Sequence, residues 1–328
     1  MAETSEMTTE MPAHSSTASW LDYVAIARPN RLIKHVFLVP GIILAFVIGK
    51  NPVFDATTII AGFIVAFAIS SANYVINEWL DAAFDAHHPM KSKRPAVTKK
   101  LSRNIVVMEY LLLAGVGLAV ASALSPQMLV IAVLFLASGW IYNIAPIRSK
   151  DKPFLDVATE ALNNPIRLVI GWFLVDQATI PPSSLLLAYW AGGAFLMSTK
   201  RLAEYRTVSA THGTEALVRY RPSFGAYSES RLLLQSFLYA QVAGFFIAVF
   251  LIKYRIEYIV SFPLFALLFA AYLRLGLKQG SVAQTPEKLF RETGMLMIVA
   301  ALVALLGALT FIDIPALSVF SDPYLITF

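Results

Sequence analysis

Long apolar runs, separated by short polar connections, set the pattern of this chain. Nine runs are long enough to cross a bilayer, near residues 35–50, 57–79, 104–124, 127–145, 154–175, 184–200, 232–252, 257–275 and 294–313. A crossing takes roughly 20 apolar residues, because the hydrocarbon layer is about 30 Å thick and a helix rises about 1.5 Å per residue. The runs show no period-2 alternation, and only helices or closed barrels satisfy their backbone groups in lipid. The expected fold is therefore all-α, a polytopic bundle of nine transmembrane helices. Pro40, Pro165 and Pro263 fall inside runs and are expected to kink them.

Composition agrees with this pattern. Of 328 residues, 57% are hydrophobic and only 14% are charged, fewer than a soluble domain of this length carries. There is no cysteine, which excludes disulfides, thiolate metal sites and cysteine nucleophiles. The first nineteen residues lack Lys, Arg and an apolar segment. They are expected to be a disordered cytoplasmic tail rather than a secretory signal, leaving residues 20–328 as one transmembrane domain.

Charge fixes the expected orientation. Connections on one side carry 22 of the 26 basic residues, whereas the intervening ones carry only Lys50, Lys253 and Arg255. The positive-inside rule then puts the N-terminus in the cytoplasm and the C-terminus outside. In a membrane protein the formal charge of +5 points to loop bias and anionic ligands, not to nucleic acid.

Four polar constellations gather on the cytoplasmic side. Asn77, Asp81 and Asp85, spaced i, i+4, i+8 at the end of run two, share one helical stripe. Two carboxylates and an amide oxygen suit Mg²⁺, a hard cation that often completes its shell with ligand phosphates. The bland alternative is a solvated helix end. Lys91, Lys93 and Arg94 follow, as phosphate binders or as plain juxtamembrane anchors. Lys200, Arg201 and Glu204 end run six, and Lys200 with Glu204 could be only an i, i+4 helix pair. Run five holds Asp156, Glu160, Asn163, Asn164 and Arg167 within about 100° of arc. Ionisable groups inside a span are costly and usually face a polar cavity; a structural polar seam between helices is the alternative. Tyr142, Asn143 and Arg148, ending run four, would border the same cavity.

Asn77-x₃-Asp81-x₃-Asp85, with a second polar motif after run six, resembles the UbiA superfamily of intramembrane prenyltransferases. The likeness covers most of the chain, from Arg28 to about Phe311. Three pieces look closest to its decaprenyl-phosphate (polyprenyl-phosphate) 5-phosphoribosyltransferase branch. They are Arg28-Pro29 followed by Lys34, His88-Pro89-x-Lys91-x-x-Arg94-Pro95, and Lys200-Arg201-x-Ala203-Glu204. Glu78, where the branch usually has Asp, and the 142–153 loop depart from it. Typical superfamily members carry a second Asp-x₃-Asp where this chain has Lys200-Arg201, and a Lys/Arg pair would bind an extra phosphate directly.

The resemblance implies a membrane enzyme, expected in a bacterial inner membrane. It would transfer 5-phosphoribose from phosphoribosyl diphosphate to a polyprenyl phosphate. Mg²⁺ on Asn77, Asp81 and Asp85 would hold the diphosphate. Lys91, Arg94, Lys200 and Arg201 would be shared between sugar and lipid phosphates, and Glu204, Glu160 or Asp156 would orient the ribose. Arg28, Lys34, His88, Tyr142, Arg148, Asn164 and Arg167 complete the expected binding set. The alternatives are a prenyltransferase with an aromatic or quinone acceptor and an anion transporter.

Overall fold

The structure, a computed structural model, describes residues 16–278, 281 and 292–320. Lys288 and Arg291, part of the basic asymmetry, lie outside these residues, as do residues 1–15 of the expected tail. Within the described part of that tail, Ser16 and Thr17 pair in parallel with Lys99 and Lys100.

The chain runs through α1 (Trp20–Ile26), a 3-10 segment (Pro29–Leu38), α2 (Val39–Ile48), α3 (Ala56–Leu80), α4 (Ala82–Asp85), α5 (Pro95–Thr98), α6 (Arg103–Leu124) and α7 (Pro126–Asn143). It continues through α8 (Leu155–Ala161), α9 (Asn163–Phe173), α10 (Ser183–Tyr220), α11 (Glu229–Tyr254), α12 (Phe262–Leu277) and α13 (Thr293–Leu309). The protein is all-α and an integral membrane protein. Helix stands at every one of the nine apolar runs, but six stretches meet the length and apolarity of a crossing: Trp20–Ile48, Ala56–Leu80, Arg103–Leu124, Pro126–Asn143, Glu229–Tyr254 and Ile256–Leu277. The other three differ for separate reasons. Thr293–Leu309 is apolar but only 17 residues long. Run five is broken at Leu162 into α8 and α9, because Pro165 has no N–H for the carbonyl one turn back. Run six is long enough but falls short in apolarity, and it does not end at Lys200: it continues as helix to Tyr220, interrupted at Gly213 with φ +77°. The stretch from Lys200 to Tyr220, polar as a loop would be, is thus helix. Pro40 and Pro263 each stand second in their helix, after a 3-10 segment, where a missing N–H costs nothing.

The largest apolar core joins α2, α3, α6, α7 and α9 through residues such as Leu38, Ile69, Phe135 and Trp172. Small residues let backbones approach, the usual basis of helix association in lipid. Where α2 and its entry cross α9, backbone meets backbone: a Cβ on Gly41 would lie 2.2 Å from the Leu168 carbonyl oxygen, and one on Gly171 2.1 Å from that of Leu38. Both obstacles are backbone, so Gly171→Ala must push the helices apart. We expect a loss of at least about 1–3 kcal/mol, the usual cost of overpacking, read as a lowered melting temperature in detergent. Unchanged melting would contradict this packing.

Candidate active site

A cavity of about 550 Å³ is walled by the 3-10 segment, α3, α7, α9 and α10. One face of α3 orders it in depth. Ser70, Tyr74, Asn77 and Asp81 all line it, and eleven residues of helix separate Ser70 from Asp81, a rise of about 16 Å.

At the mouth, α3 ends at Asp81 and the chain turns into α4, which carries Asp85. The expected single stripe is thus interrupted: Asn77 and Asp81 line the cavity, while Asp85 is buried behind Arg94. Asp81 accepts from Arg148 Nη2 at 2.9 Å and from Asn77 Nδ2 at 3.2 Å, and it pairs with Lys150. Lys150 also donates to Asn143 Oδ1 at 2.9 Å. Burial would raise the Asp81 carboxyl, but Lys150 and Arg148 outweigh it and hold the group below its ordinary value. Burial pulls the Lys150 ammonium down to about 8 against the attraction of Asp81. Asp85 accepts from Arg94 Nη1 at 2.5 Å and lies 3.8 Å from Lys91 Nζ. Arg28 donates through Nε and Nη2 to Glu78, at 3.0 and 2.8 Å, so Glu78 anchors this arginine.

The middle tier centres on Arg201, which is 2% exposed. It contacts three carboxylates: Asp156 at 3.2 Å, Glu160 at 2.9 Å and Glu204 at 3.2 Å. Glu204 also meets His88 Nε2 at 3.1 Å and Lys91 Nζ at 3.9 Å. Burial raises Glu204, but Lys91, His88 and Arg201 together hold it well below the ordinary carboxylate value. Lys200 and Glu204 form no ion pair, so the simple helix pair is absent. Lys34 and Lys200 line the cavity and take part in no ion pair among the described residues. Lys34 Nζ lies 5.5 Å from the Tyr74 ring centre.

The floor holds Arg167, Ser70, Asn73, Asn163 and Asn164. Glycines make room for two of these amides. A Cβ on Gly139 would lie 2.1 Å from Asn73 Oδ1, and one on Gly193 2.0 Å from Asn164 Nδ2.

Most residues singled out in the sequence therefore meet in one cavity. Asp85, Arg148 and Asp156 do not line it. Arg148 braces Asp81 and Asp151 from outside. Asp156 is wholly buried among Arg201, Arg221, Ser223 and Tyr227, so for this residue the structural seam is the better description. Arg221 and Lys150 were legible only as loop charges. Arg221 in fact donates to the Tyr142 hydroxyl at 2.8 Å, which in turn donates to Glu160 at 2.8 Å.

Ten lining side chains are Lys or Arg and three are Asp or Glu. Glu78, Asp85 and Asp156 pair with lining cations from behind. Among the described residues three lining cations, Lys34, Arg167 and Lys200, take part in no ion pair. The arrangement suits a ligand with several phosphate groups. Among the described residues no group of three or more His, Cys, Asp or Glu is placed to hold a metal. The oxygen donors Asn77 and Asp81 on the lining nevertheless fit the chemistry of Mg²⁺, which takes one or two carboxylates and leaves positions to phosphate, whereas Asp85, expected as a third ligand, is turned to Arg94.

The family model described as UbiA prenyltransferase family matches residues 38–292. Nodulation protein NoeC of Azorhizobium caulinodans is 24% identical over 282 residues, 86% of this chain and 80% of that protein. Decaprenyl-phosphate phosphoribosyltransferase of Mycolicibacterium smegmatis is 25% identical over 214 residues, 64% of this chain and 63% of that protein. The structure of a UbiA homolog from Archaeoglobus fulgidus bound to GPP and Mg²⁺ superposes with a TM-score of 0.66 at 21% identity, over 89% of this chain and 100% of that one. At that identity the likeness establishes the fold.

Proposed function

This chain belongs to the UbiA prenyltransferase family, and we propose that within it the protein transfers 5-phosphoribose from phosphoribosyl diphosphate to a membrane polyprenyl phosphate. The observation that carries this reading is the charge of the cavity. A prenyl diphosphate brings one diphosphate and an apolar chain. Lys34, Arg167 and Lys200 line the cavity without a carboxylate partner among the described residues, before any metal is added, and cations and amides reach its floor. Such a cavity matches a donor with a diphosphate and a second phosphate, together with an anionic acceptor. The likeness to a decaprenyl-phosphate phosphoribosyltransferase agrees with this, as do the sequence pieces at Arg28, His88 and Lys200.

In the proposed step, the bond from the ribose anomeric carbon to the diphosphate oxygen breaks. A bond from that carbon to an acceptor phosphate oxygen forms, and diphosphate leaves with the bonding pair. The acceptor is already an anion, so no strong base is needed. Mg²⁺ held by Asn77 and Asp81, the two oxygen donors of that motif that line the cavity, would neutralise charge on the leaving group. Lys91 and Arg94 stand at the mouth to bind phosphate oxygens, and Lys34 and Lys200 stand below them. Glu160 and Glu204, fixed by Tyr142, His88 and Arg201, are placed to orient the ribose hydroxyls. A prenyl donor is the second reading, favoured by the apolar wall of Ile33, Phe37, Leu196 and Met197. The transporter reading loses its ground with the family match.

Turnover is expected with phosphoribosyl diphosphate, a short polyprenyl phosphate and Mg²⁺, giving diphosphate and a phosphoribosylated lipid by mass spectrometry. Absence of that product with a correctly folded protein would defeat the proposal. Nine crossings, cytoplasmic N-terminus and outer C-terminus complete the reading. The natural lack of cysteine makes a direct test possible: a cysteine at Asn51 should label only from outside, and one at Lys93 only from the cytoplasm. The reverse pattern would overturn the orientation.

A further inference from the structure

The floor of the cavity holds a charge that no carboxylate of the described structure balances. Arg167 is 6% exposed and lies within run five. A charge at such depth is costly without a partner or a ligand. Arg201, one tier higher, meets three carboxylates; Arg167 makes no ion pair among the described residues. Its contacts are neutral. Nη1 donates to the Asn163 carbonyl at 3.1 Å, Nη2 to Ser70 Oγ at 3.3 Å, and the guanidinium lies over the Phe135 ring at 5.0 Å. A guanidinium has five N–H donors, so three remain, and its Nε is both buried and unpartnered. Asn73, which lines the same cavity, has its Oδ1 buried and unpartnered as well, in the space that Gly139 leaves open.

These contacts occupy two of its donors and leave the guanidinium on the cavity lining without a counter-charge. An apolar prenyl chain would not supply one. We propose that the floor is a second anion subsite, built on Arg167 for a phosphate monoester. In the reaction proposed above, on which this inference rests, that group is the 5-phosphate of the donor ribose. Depth supports the placement. With the diphosphate at Asn77 and Asp81, the rest of the donor runs down α3, and Ser70 lies seven residues below Asn77, about 10 Å. Lys34 and Lys200 line the wall between. Arg201, occupied by its three carboxylates, is not the residue that takes this phosphate.

The test is calorimetric binding to purified protein in Mg²⁺, with three probes: ribose 5-phosphate, inorganic diphosphate and farnesyl monophosphate. Arg167→Gln should weaken ribose 5-phosphate about 10- to 100-fold, the range for losing charge-assisted bonds, and leave diphosphate unchanged. Arg167→Lys, which keeps the charge but not the planar fork, should fall between and carries the test if the Gln variant does not fold. Wild-type affinity of both variants for ribose 5-phosphate would overturn the subsite and leave the proposed reaction standing. A loss confined to farnesyl monophosphate would overturn the assignment to the donor. A wild type that ignores ribose 5-phosphate and phosphoribosyl diphosphate but binds geranyl diphosphate would overturn the reaction and the subsite together.

Discussion

Asp81→Asn is expected to remove nearly all turnover while the protein remains folded. The carboxylate stands at the cavity mouth, facing Asn77 and braced from behind by Arg148. Its replacement removes a charged oxygen donor for the metal and leaves Lys150 without its counter-ion. Loss of one group that stabilises charge developing on a leaving group typically costs on the order of 10²–10³-fold in rate, and a metal ligand should cost at least that. Excess chelator should reproduce the defect in the wild type, and added Mg²⁺ should reverse it there but not in Asp81→Asn. Near-normal turnover by the variant, or turnover that persists in chelator, would reduce the mouth to a structural ion-pair cluster.

The second large effect separates two neighbours in sequence. Arg201→Gln should damage folding, and Lys200→Gln should damage donor binding. Arg201 is the one cation shared by Asp156, Glu160 and Glu204. Removing one partner of a buried ion pair costs about 3–5 kcal/mol, because the charges left behind are uncompensated; here three would be. Arg221 and Lys91 would still compensate Asp156 and Glu204 in part. We therefore expect a sharply lowered melting temperature and poor yield. Lys200 has no such network. Its loss should leave melting nearly unchanged and weaken phosphoribosyl diphosphate about 10- to 100-fold, from one charge-assisted bond of about 1.5–3 kcal/mol. If instead Arg201→Gln melts like the wild type and loses only donor binding, Arg201 contacts substrate directly and the middle tier has been assigned the wrong way round.

What the sequence made legible, and what it concealed, follows from the range of the interactions involved. Local spacing placed the helices and gathered the carboxylates and bases on one side, because periodicity and the positive-inside bias act over a few residues. Pro165 announced the break in run five. Which acid meets which base was not legible, since those pairs join residues far apart in the chain. Asp81 meets Lys150 across 69 positions, and His88 meets Glu204 across 116. Glu78, which looked like a departure from the family motif, turned out to be the anchor of Arg28. Lys200 and Arg201 looked like one phosphate-binding pair, yet although both line the cavity only Arg201 is held by three carboxylates. The extension of α10 beyond Lys200 was concealed because polar surface helix and polar loop share a composition.

The central claim is the identity of the donor, and a side-by-side turnover assay tests it most directly. The purified protein, with Mg²⁺, is offered phosphoribosyl diphosphate with a polyprenyl phosphate, and separately geranyl diphosphate with an aromatic acceptor. We predict diphosphate release and a phosphoribosylated lipid in the first mixture and no prenylated product in the second. Prenylation of the aromatic acceptor, with no phosphoribosyl transfer, would contradict the account.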